Sequence, residues 1–195
     1  MPFDLLLSNV SKFIHLESNE KEIFVSYLKQ KKLKRKEFLL SEGGVCKYSA
    51  FVTEGCLRGY TVDKNGDERV LSFAPPGWWM ADMYSLISQK PGILNIEALE
   101  DTDIILLSKT DQERLYIQVP KFERFFRILI ENSLVANQQR IIDNLSLTAE
   151  ERYKIFCKRY PALIDTLPNK QIASYIGVTP EFFSRMRSGL LRKGL

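Results

Sequence analysis

The chain has 195 residues, with 28 lysines and arginines against 24 aspartates and glutamates, which gives a formal net charge of +4. Hydrophobic residues make up 45% of it, enough for the core of one large domain or two small ones. No run of 18 apolar residues is present and the N-terminus lacks the basic start and cleavage site of a secretory signal, so we expect a cytoplasmic protein without membrane contact.

Histidine and cysteine usage excludes most catalytic chemistry. The single His15 leaves metal catalysis without ligands and cannot supply a Ser-His-Asp or Cys-His arrangement by itself. Cys46, Cys56 and Cys157 are scattered, so they predict neither a disulfide framework nor a metal cluster. We therefore expect no catalytic residues, no metal and no enzyme activity.

Apolar and charged residues alternate at helical spacing from about Phe3 to Leu28. The sequence Ser18-Asn-Glu-Lys-Glu22 is typical of a helix start. We predict a short helical lead-in that packs on the elements that follow.

From Lys29 onward the pattern becomes β-rich. Gly44, Gly55, Gly66 and Gly77 recur every eleven residues, a spacing typical of a small sandwich or barrel. The clearest hairpin has Asn65-Gly66 at its turn. Further strands are predicted at Ser49–Thr53, Val70–Phe73, Ile93–Leu99 and Ile104–Ser108, giving an antiparallel β roll over residues 30–109.

Two motifs within the roll each have two interpretations. The basic run Lys29–Lys36 is either a nucleic-acid patch or a solvated strand edge guarded by lysines. Trp78 and Trp79 either stack a planar ligand or fill a core or lid. Since they follow a Pro-Pro-Gly turn, they also mark a candidate pocket mouth.

Pro120 opens the longest helical pattern, which we predict as a dimerisation helix over residues 120–147. Nearly thirty residues at this spacing make a helix about 40 Å long, enough to carry a dimer seam into a second domain. A single buried helix is the alternative, but the polar run Asn137–Arg140 favours partial exposure. The apolar positions are Phe122, Phe125, Phe126, Leu129, Ile130, Leu134, Ile141 and Leu145.

A second domain is predicted to begin at Thr148, which with Glu151 matches a capping box. After a helix over Glu150–Arg159 comes a helix pair within Asn169–Leu190. Gly177 frees the turn between the two helices, Thr179 is an N-cap, and Pro180 suits the first helical position. This punctuation predicts a helix-turn-helix, with an ordinary αα-hairpin as the alternative.

Positive charge is concentrated in this second domain. Residues 148–195 carry nine basic and four acidic side chains, a net charge of +5, so the remaining residues sum to −1. This asymmetry favours a nucleic-acid-binding module attached to a neutral body.

The second helix of the pair is the predicted reader of DNA bases. We expect Arg185 to bind guanine, Glu181 to accept from cytosine, and Ser184 and Thr179 to contact base edges or phosphates. Lys170, Arg187 and Arg192 are expected to neutralise phosphates. Ser188 shares the same outer face, and Pro180 completes the set. Ile172, Ala173 and Ile176 are predicted to form the apolar face of the first helix, and Phe182, Phe183, Met186 and Leu190 that of the second.

Taken together, these elements resemble the Crp/Fnr family of bacterial transcription regulators. The motifs that carry the resemblance are Ser41–Gly43 with Val52–Gly55, the run Asn65–Gly77, and Gln171–Arg185. The resemblance covers essentially the whole chain. It implies an α+β fold in which a cyclic-nucleotide-binding-like jelly roll with flanking helices (1–119) precedes the dimerisation helix (120–147) and a winged-helix-like DNA-binding domain (148–195). It also implies a homodimer on a near-palindromic operator in double-stranded DNA, with RNA polymerase as a candidate further partner.

The resemblance also implies a small-molecule effector site in the roll. Its candidate residues are Trp79, Met80, Ala81, Asp82, Met83, Gly92 and Ile93. In cyclic-nucleotide-binding relatives a Gly-Glu pair contacts the ribose, and an arginine followed by a small hydroxyl residue holds the phosphate. Here Ala81-Asp82 and Gly92-Ile93 stand at those positions. We therefore expect no cofactor, an unidentified effector, and absent or very weak binding of cyclic AMP.

Relatives usually continue past the recognition helix into a β wing, whereas the sequence ends soon after this helix. We therefore expect phosphate anchoring to depend on the helix pair and its neighbours. The rival interpretation of the whole chain is an effector-binding or scaffold module whose helix pair makes protein contacts.

Overall fold

The computed structural model describes residues 3–192, and for residues 191 and 192 the backbone alone. The chain divides into two compact units. One contains the residues up to Thr61 together with Leu71–Glu131. The other contains Val62–Val70 and the residues from Asn132 onward, so the division falls inside the long helix.

The first unit contains four short helices and the start of the long one. The short helices are α1 (Asp4–Ser11), α2 (Ser18–Ser26), α3 (Met83–Ser88) and α4 (Lys109–Gln118). The predicted helix start at Ser18 is confirmed: Glu17 caps α2, and the side chain of Glu20 accepts from the Glu17 N–H at 2.8 Å. Helix α4 was not predicted, because its polar sequence carries little helical periodicity.

The strands form two four-stranded sheets. They are β1 (Leu28–Leu33), β2 (Phe38–Leu40), β3 (Tyr48–Glu54), β4 (Leu57–Val62), β5 (Glu68–Ala74), β6 (Trp79–Met80), β7 (Asn95–Ala98) and β8 (Thr102–Ser108). The sheet orders are β1-β8-β3-β6 and β2-β7-β4-β5. The pairings are antiparallel, with Leu28 opposite Leu107 and Arg58 opposite Glu97. This is the predicted antiparallel roll.

The predicted hairpin exists, but its turn is wider than a two-residue Asn-Gly turn. Strands β4 and β5 are joined by residues 63–67, and Asp63 closes the loop. Its Oδ1 accepts from the backbone N–H of Asn65 at 2.9 Å and of Asp67 at 3.0 Å. The aspartate side chain therefore adds to the backbone hydrogen bonds of the loop, in which the Gly66 N–H donates to the Asp63 carbonyl at 2.9 Å.

The basic run Lys29–Lys36 includes most of β1, which lies at the edge of its sheet. Lys32 pairs with Asp103 at 2.8 Å and Lys34 with Asp101 at 2.7 Å. The run therefore matches the solvated edge of the two interpretations, since lysines on an edge strand discourage pairing with another chain.

Two hydrophobic clusters form the core of the first unit. One lies within the roll and is built from strand residues such as Ala50, Val52, Leu57, Ile96 and Leu106. The other joins the helices to the outer side of a sheet through Phe24, Phe51, Leu115, Phe122 and Phe125. The lead-in helices therefore pack on the roll as predicted.

The long helix is α5 (Lys121–Ser146), close to the predicted span. Phe122, Phe125 and Phe126 at its beginning are buried in the helical cluster. Farther along, Leu134, Ile141 and Leu145 are 65%, 62% and 85% exposed. The helix therefore packs on the roll at its beginning and exposes apolar residues farther along.

The second unit contains the end of α5 and three further helices. They are α6 (Ala149–Arg159), α7 (Asn169–Ile176) and α8 (Pro180–Arg192), with a 3₁₀ turn at Pro161–Leu163. The capping box of Thr148 and Glu151 is present. Tyr160 ends α6, which confirms the stop predicted at Tyr160-Pro161.

Candidate nucleic-acid interface

The turn between α7 and α8 has the local geometry that its residues predict. Gly177 caps the end of α7 in the left-handed region with φ 74°, which glycine adopts without steric cost. Thr179 Oγ1 accepts from the backbone N–H of Phe182 at 3.3 Å, so it caps α8, and Pro180 is the first helical residue. The two helices are therefore set at a short elbow, the arrangement of a helix-turn-helix.

An aromatic core holds the pair of helices in place. The ring centroids of Tyr153 and Phe183 are 5.1 Å apart, and those of Phe156 lie 5.4 Å from both Tyr160 and Tyr175. Phe156 and Phe183 are completely buried. Helices α6, α7 and α8 all contribute to this core. Helix α8 therefore packs against the other two through its inner face, and its outer face points away from the core.

The outer face of α8 carries most of the predicted DNA-contacting side chains. Glu181, Ser184, Arg185 and Ser188 are exposed, and so are Thr179 and Lys170. Pro180 is half-buried at the start of the helix. Ser184 and Arg185 are adjacent, and each lies three or four residues from both Glu181 and Ser188, so the group shares one side of the helix. The surface therefore offers donors and acceptors suited to base edges and phosphates.

Arg187 differs from its prediction as a phosphate contact. Its Nη1 donates to Asn169 Oδ1 at 2.8 Å, and its Nη2 donates to the carbonyl of Ile164 at 3.2 Å. Asp165 lies at 3.4 Å from the same Nη2. Arg187 thus ties α8 to the start of α7 and to the segment before it, so these guanidinium donors bind groups within the domain. The side chain of Arg192 is outside the described residues.

Phe182 also differs from the prediction, which placed it with Phe183 on the buried face. Phe183 is buried, whereas Phe182 is 46% exposed next to Glu181. Neighbouring residues on a helix point about 100° apart, and the buried stripe of α8 is centred on Phe183, so Phe182 lies at the edge of that stripe. The sequence contains a signal for this difference. Phe183, Met186 and Leu190 follow helical spacing and form one apolar stripe, and Phe182 lies outside that stripe.

The effector-site candidates of the first unit do not behave as one group. Trp79 packs in the helical cluster, with its ring 5.3 Å from Phe51 and 5.7 Å from Phe126. Met80 is buried in the cluster within the roll. Met83 and Ile93, by contrast, are exposed, and Ala81 is half-buried. Trp79 and Met80 therefore fill the core, the second of the two interpretations given for the tryptophans.

Asp82 and Gly92 are the two candidates that meet. Asp82 is 3% exposed and caps α3, since its Oδ1 accepts from the Ser85 N–H at 3.0 Å. Its Oδ2 points to the space beside Gly92 that a Cβ would occupy, and no described group donates a hydrogen bond to it. The backbone of Gly92 is fixed by hydrogen bonds to Gly43 and Gly44 at 2.9 and 3.0 Å.

A buried ion pair in the roll was not predicted. Arg58 Nη2 donates to Glu97 Oε2 at 3.0 Å, and the Tyr60 hydroxyl donates to the same oxygen at 3.1 Å. The Arg58 guanidinium also lies over the Tyr60 ring, 4.1 Å from its centroid. Charged residues inside two otherwise apolar strand runs were the signal that could have revealed it.

Comparison with known proteins agrees with this architecture. Residues 30–118 match the family model described as cyclic nucleotide-binding domain. The transcriptional regulatory protein btr of Bordetella pertussis is 25% identical over 72% of this chain and 62% of its own length. An anaerobic regulatory protein of Pasteurella multocida is 24% identical over 86% of this chain and 64% of its own. The chain thus spans less than two thirds of the length of both regulators.

A solved structure shares the fold over most of the chain. FixK2 from Bradyrhizobium japonicum superposes with a TM-score of 0.75 at 21% identity, covering 86% of each chain. These similarities support the resemblance of the chain to the Crp/Fnr family of transcription regulators. The antiparallel roll followed by the helix-turn-helix is therefore the fold of this chain.

The family model implies a cyclic nucleotide, but the residues of this chain do not fit a cyclic phosphate. Gly92 has no side chain, and the space beside it holds the Asp82 carboxylate, which would repel a phosphate. The buried Arg58 is already paired with Glu97. A phosphate at this position would therefore lose the charge-assisted hydrogen bonds that hold it elsewhere in the family.

Other kinds of site receive no support from the part of the chain that the structure describes. Residues 3–192 contain no group of three or more His, Cys, Asp or Glu side chains placed to hold a metal. The three cysteines are free, and burial raises the pKa of Cys56 to about 12, so this thiol is a core residue. None of the described helices combines the length and apolar character needed to cross a membrane.

Proposed function

We propose that this chain is a transcription regulator of the Crp/Fnr family and that it binds DNA through the outer face of α8. The observation that carries the proposal is the row of exposed polar side chains Glu181, Ser184, Arg185 and Ser188 above a closed aromatic core. The relatives named above are regulatory proteins, which agrees with a role in which the chain catalyses no reaction. Such a regulator would act in the bacterial cytoplasm.

Arg185 is proposed as the main base-reading residue and Phe182 as a second one. The Arg185 guanidinium can donate two hydrogen bonds to guanine O6 and N7, and Glu181 can accept from cytosine N4. Phe182 on the same helix is 46% exposed, so it offers an apolar ring to the methyl group of a thymine. Lys170 remains a candidate phosphate contact, whereas Arg187 is proposed to position α8.

We further propose that the protein is a homodimer paired along α5. Ile130, Leu134 and Ile141 are exposed on this helix, and with Asn137 they follow the alternating spacing of four and three residues typical of a coiled-coil seam. A polar asparagine inside such a seam fixes its register. A two-fold dimer would present two α8 helices to the half-sites of a near-palindromic operator, and RNA polymerase is a further proposed partner.

The effector of the roll is proposed to be a molecule other than cyclic AMP. The support is the Asp82 carboxylate beside Gly92, where cyclic-nucleotide-binding relatives have a cation. Calorimetric titration of the full chain with cyclic AMP and cyclic GMP should give no binding at micromolar concentrations. Micromolar binding of either nucleotide would refute this part of the proposal.

The DNA-binding proposal is tested by selecting duplexes from a random pool with the full chain and then measuring salt-dependent binding. Wild type should enrich a near-palindromic site and lose affinity steeply as salt is added. Arg185→Ala should cost about 1–3 kcal/mol per half-site and relax the preference at one base pair. Lys158→Ala, which removes an exposed charge from α6, is the matched control and should keep the base preference.

Two results would contradict the proposal. If no duplex is enriched, the helix pair serves protein contacts, as in the scaffold alternative. If Arg185→Ala binds with its base preference intact, α8 does not face the bases in the proposed orientation.

A further inference from the structure

One β-hairpin of the roll is part of the second unit. It consists of residues Val62–Val70, which are the end of β4, the turn and the start of β5. This unit also contains the C-terminal part of α5 and the helices α6, α7 and α8. Strands β4 and β5 both continue from the hairpin into the first unit. The hairpin is therefore a segment through which the chain connects the sheet of the roll to the helix pair.

Ser174 on α7 binds the backbone of β5 in this hairpin. Its hydroxyl donates to the carbonyl of Glu68 at 2.7 Å and accepts from the backbone N–H of Val70 at 2.9 Å. Strand β5 is the last strand in its sheet order, and the last strand of a sheet is hydrogen-bonded to a neighbouring strand along one edge only. The Ser174 hydroxyl therefore takes the place of the two backbone groups that a further strand would supply.

The same residue of β5 also binds α5. Arg140 Nη2 donates to the carbonyl of Val70 at 3.0 Å and to the carbonyl of Tyr175 at 3.1 Å. Both backbone polar groups of Val70 are thus bonded to side chains of the second unit, and Val70 itself is 2% exposed. Because a buried backbone group is costly to leave unpaired, these hydrogen bonds fix the hairpin against α5 and α7.

Helix α7 is in turn fixed to α8. Only residues 177–179 separate the two helices, and the Val178 N–H in this turn donates to the carbonyl of Ala173 at 3.0 Å. Arg187 Nη1 on α8 donates to Asn169 Oδ1 at the start of α7 at 2.8 Å. A displacement of α7 therefore moves α8 with it.

We propose that Ser174 is a positioning residue, which holds the hairpin on α7 and thereby sets the orientation of α8 toward DNA. This role rests on the proposed function, since it concerns the regulation of the proposed DNA-binding surface. A change in the roll that shifts β4 and β5 would reach α7 through the two hydrogen bonds of this hydroxyl. When they are lost, the helix pair adopts further orientations, and the fraction of molecules able to bind DNA falls.

Amide hydrogen exchange of the full chain, measured by NMR without DNA, tests the contact itself. In Ser174→Ala the Val70 amide should exchange about tenfold faster or more, because its N–H loses a hydrogen bond. Ser174→Thr keeps the hydroxyl and should protect Val70 as in wild type. The Phe183 amide, which donates to the Thr179 carbonyl at 3.0 Å, should exchange equally slowly in all three proteins. An unchanged Phe183 amide shows that the helix pair remains folded.

Binding to a selected duplex tests the positioning role. Ser174→Ala should bind about threefold to tenfold more weakly and keep its base preference, because this residue contacts the hairpin and acts on α8 from a distance. Ser174→Thr should restore the affinity. The matched control is Ser146→Ala, the same substitution in α5. The Ser146 hydroxyl donates to the Ile142 carbonyl of its own helix at 2.7 Å, so this variant should bind like wild type.

A second change within the hairpin tests the connection between the hairpin and α7. Asp63 closes the turn, and its Oδ2 accepts from Arg69 Nε at 2.8 Å and from Nη2 at 2.6 Å. Asp63→Ala should loosen the hairpin and weaken DNA binding in wild type, but add little when Ser174 is already alanine. Asp67→Ala removes the same charge from the turn and is the control, because its carboxylate meets Arg69 at 3.4 Å. It should weaken binding less than Asp63→Ala.

Each measurement can contradict this role of Ser174. If the Val70 amide of Ser174→Ala exchanges at the wild-type rate, the hydroxyl does not hold the hairpin. If exchange accelerates but DNA affinity stays at the wild-type value, the contact does not position α8. Additive losses for Asp63→Ala and Ser174→Ala would show that the hairpin acts on DNA binding by another route. If wild type selects no duplex, the proposed function fails and the positioning role with it, whereas the exchange rates still show whether Ser174 joins the hairpin to α7.

Discussion

The Asp82 carboxylate occupies the space that a side chain on residue 92 would need. Asp82 Cγ and Ser85 Cβ both lie 3.0 Å from the position of a Cβ built on Gly92, and Asp82 Oδ2 lies closer still. Hydrogen bonds to Gly43 and Gly44 prevent the Gly92 backbone from moving away. The groups around residue 92 therefore leave room for glycine alone, and an arginine side chain would not fit at this position.

Gly92→Ala is expected to lower the free energy of unfolding by about 1–3 kcal/mol, the usual cost of overpacking. The new Cβ collides with the Asp82 carboxylate, so the cap of α3 must shift. Chemical denaturation of the variant and wild type measures the difference. Gly189→Ala is the matched control: its Cβ meets nothing within 4 Å, and alanine in a helix is favoured over glycine by about 1 kcal/mol.

A shorter side chain at residue 82 should relieve the collision between the new Cβ at residue 92 and the Asp82 carboxylate. Asp82→Ser keeps a side chain that can cap α3 but is shorter. The double variant with Gly92→Ala should then be more stable than the sum of the two single changes predicts. Additive losses would show that the two residues do not interact in the way described.

Phe182→Ala should weaken binding to a selected duplex by removing an apolar contact with thymine. Burying one methyl group is worth about 0.8 kcal/mol, or roughly fourfold in affinity. Replacing thymine by uracil, which lacks this methyl, should cost wild type the same factor at one position and leave Phe182→Ala unaffected. Competition binding with uracil-substituted duplexes measures both.

The control for this prediction is Arg185→Ala, which should remain sensitive to uracil while losing its preference for guanine. An equal uracil effect in wild type and Phe182→Ala would show that the exposed ring does not read thymine.

Ile141→Asp is expected to convert the proposed dimer to a monomer. It places a charge in the exposed apolar stripe of α5, where each partner helix would have to desolvate it. Asn132→Asp adds the same charge nine residues away, about two and a half turns along and therefore on the opposite face. Sedimentation velocity should give a monomer for the first variant and a dimer for the second. If both keep the same mass, the stripe is not the dimer seam.

Glu97→Gln should destabilise the roll by about 3 kcal/mol or more, because it removes the carboxylate that pairs with the buried Arg58 charge. Replacing both residues, as in Arg58→Met with Glu97→Leu, should cost less than the sum of the single changes, since no unpaired charge remains. Urea denaturation of the full chain measures these differences.

An exposed pair provides the control for the buried one. Lys32 and Asp103 lie 2.8 Å apart, but the Lys32 side chain is 83% exposed. Lys32→Ala should therefore change stability by less than about 1 kcal/mol. Similar losses at Lys32 and Glu97 would contradict the role assigned to burial.

The sequence by itself determined those features that depend on residues close together in the chain. The capping box at Thr148, the glycine cap at Gly177 and the proline start of α8 follow from hydrogen bonds and backbone preferences within a few residues. Five strands of the roll, β3, β4, β5, β7 and β8, were also predicted, because alternating apolar residues and regular turns are local patterns.

Only the tertiary structure decided which of these residues are available for function. Arg187 is paired with Asn169, eighteen residues away, Glu97 lies 39 residues from Arg58, and Arg140 holds the carbonyl of Val70 across 70 residues. Whether a charged or aromatic side chain is exposed depends on the groups that packing brings to it. A single sequence carries no local record of those distant neighbours, so Phe182 became an exposed residue and Asp82 a buried one only when the chain was folded.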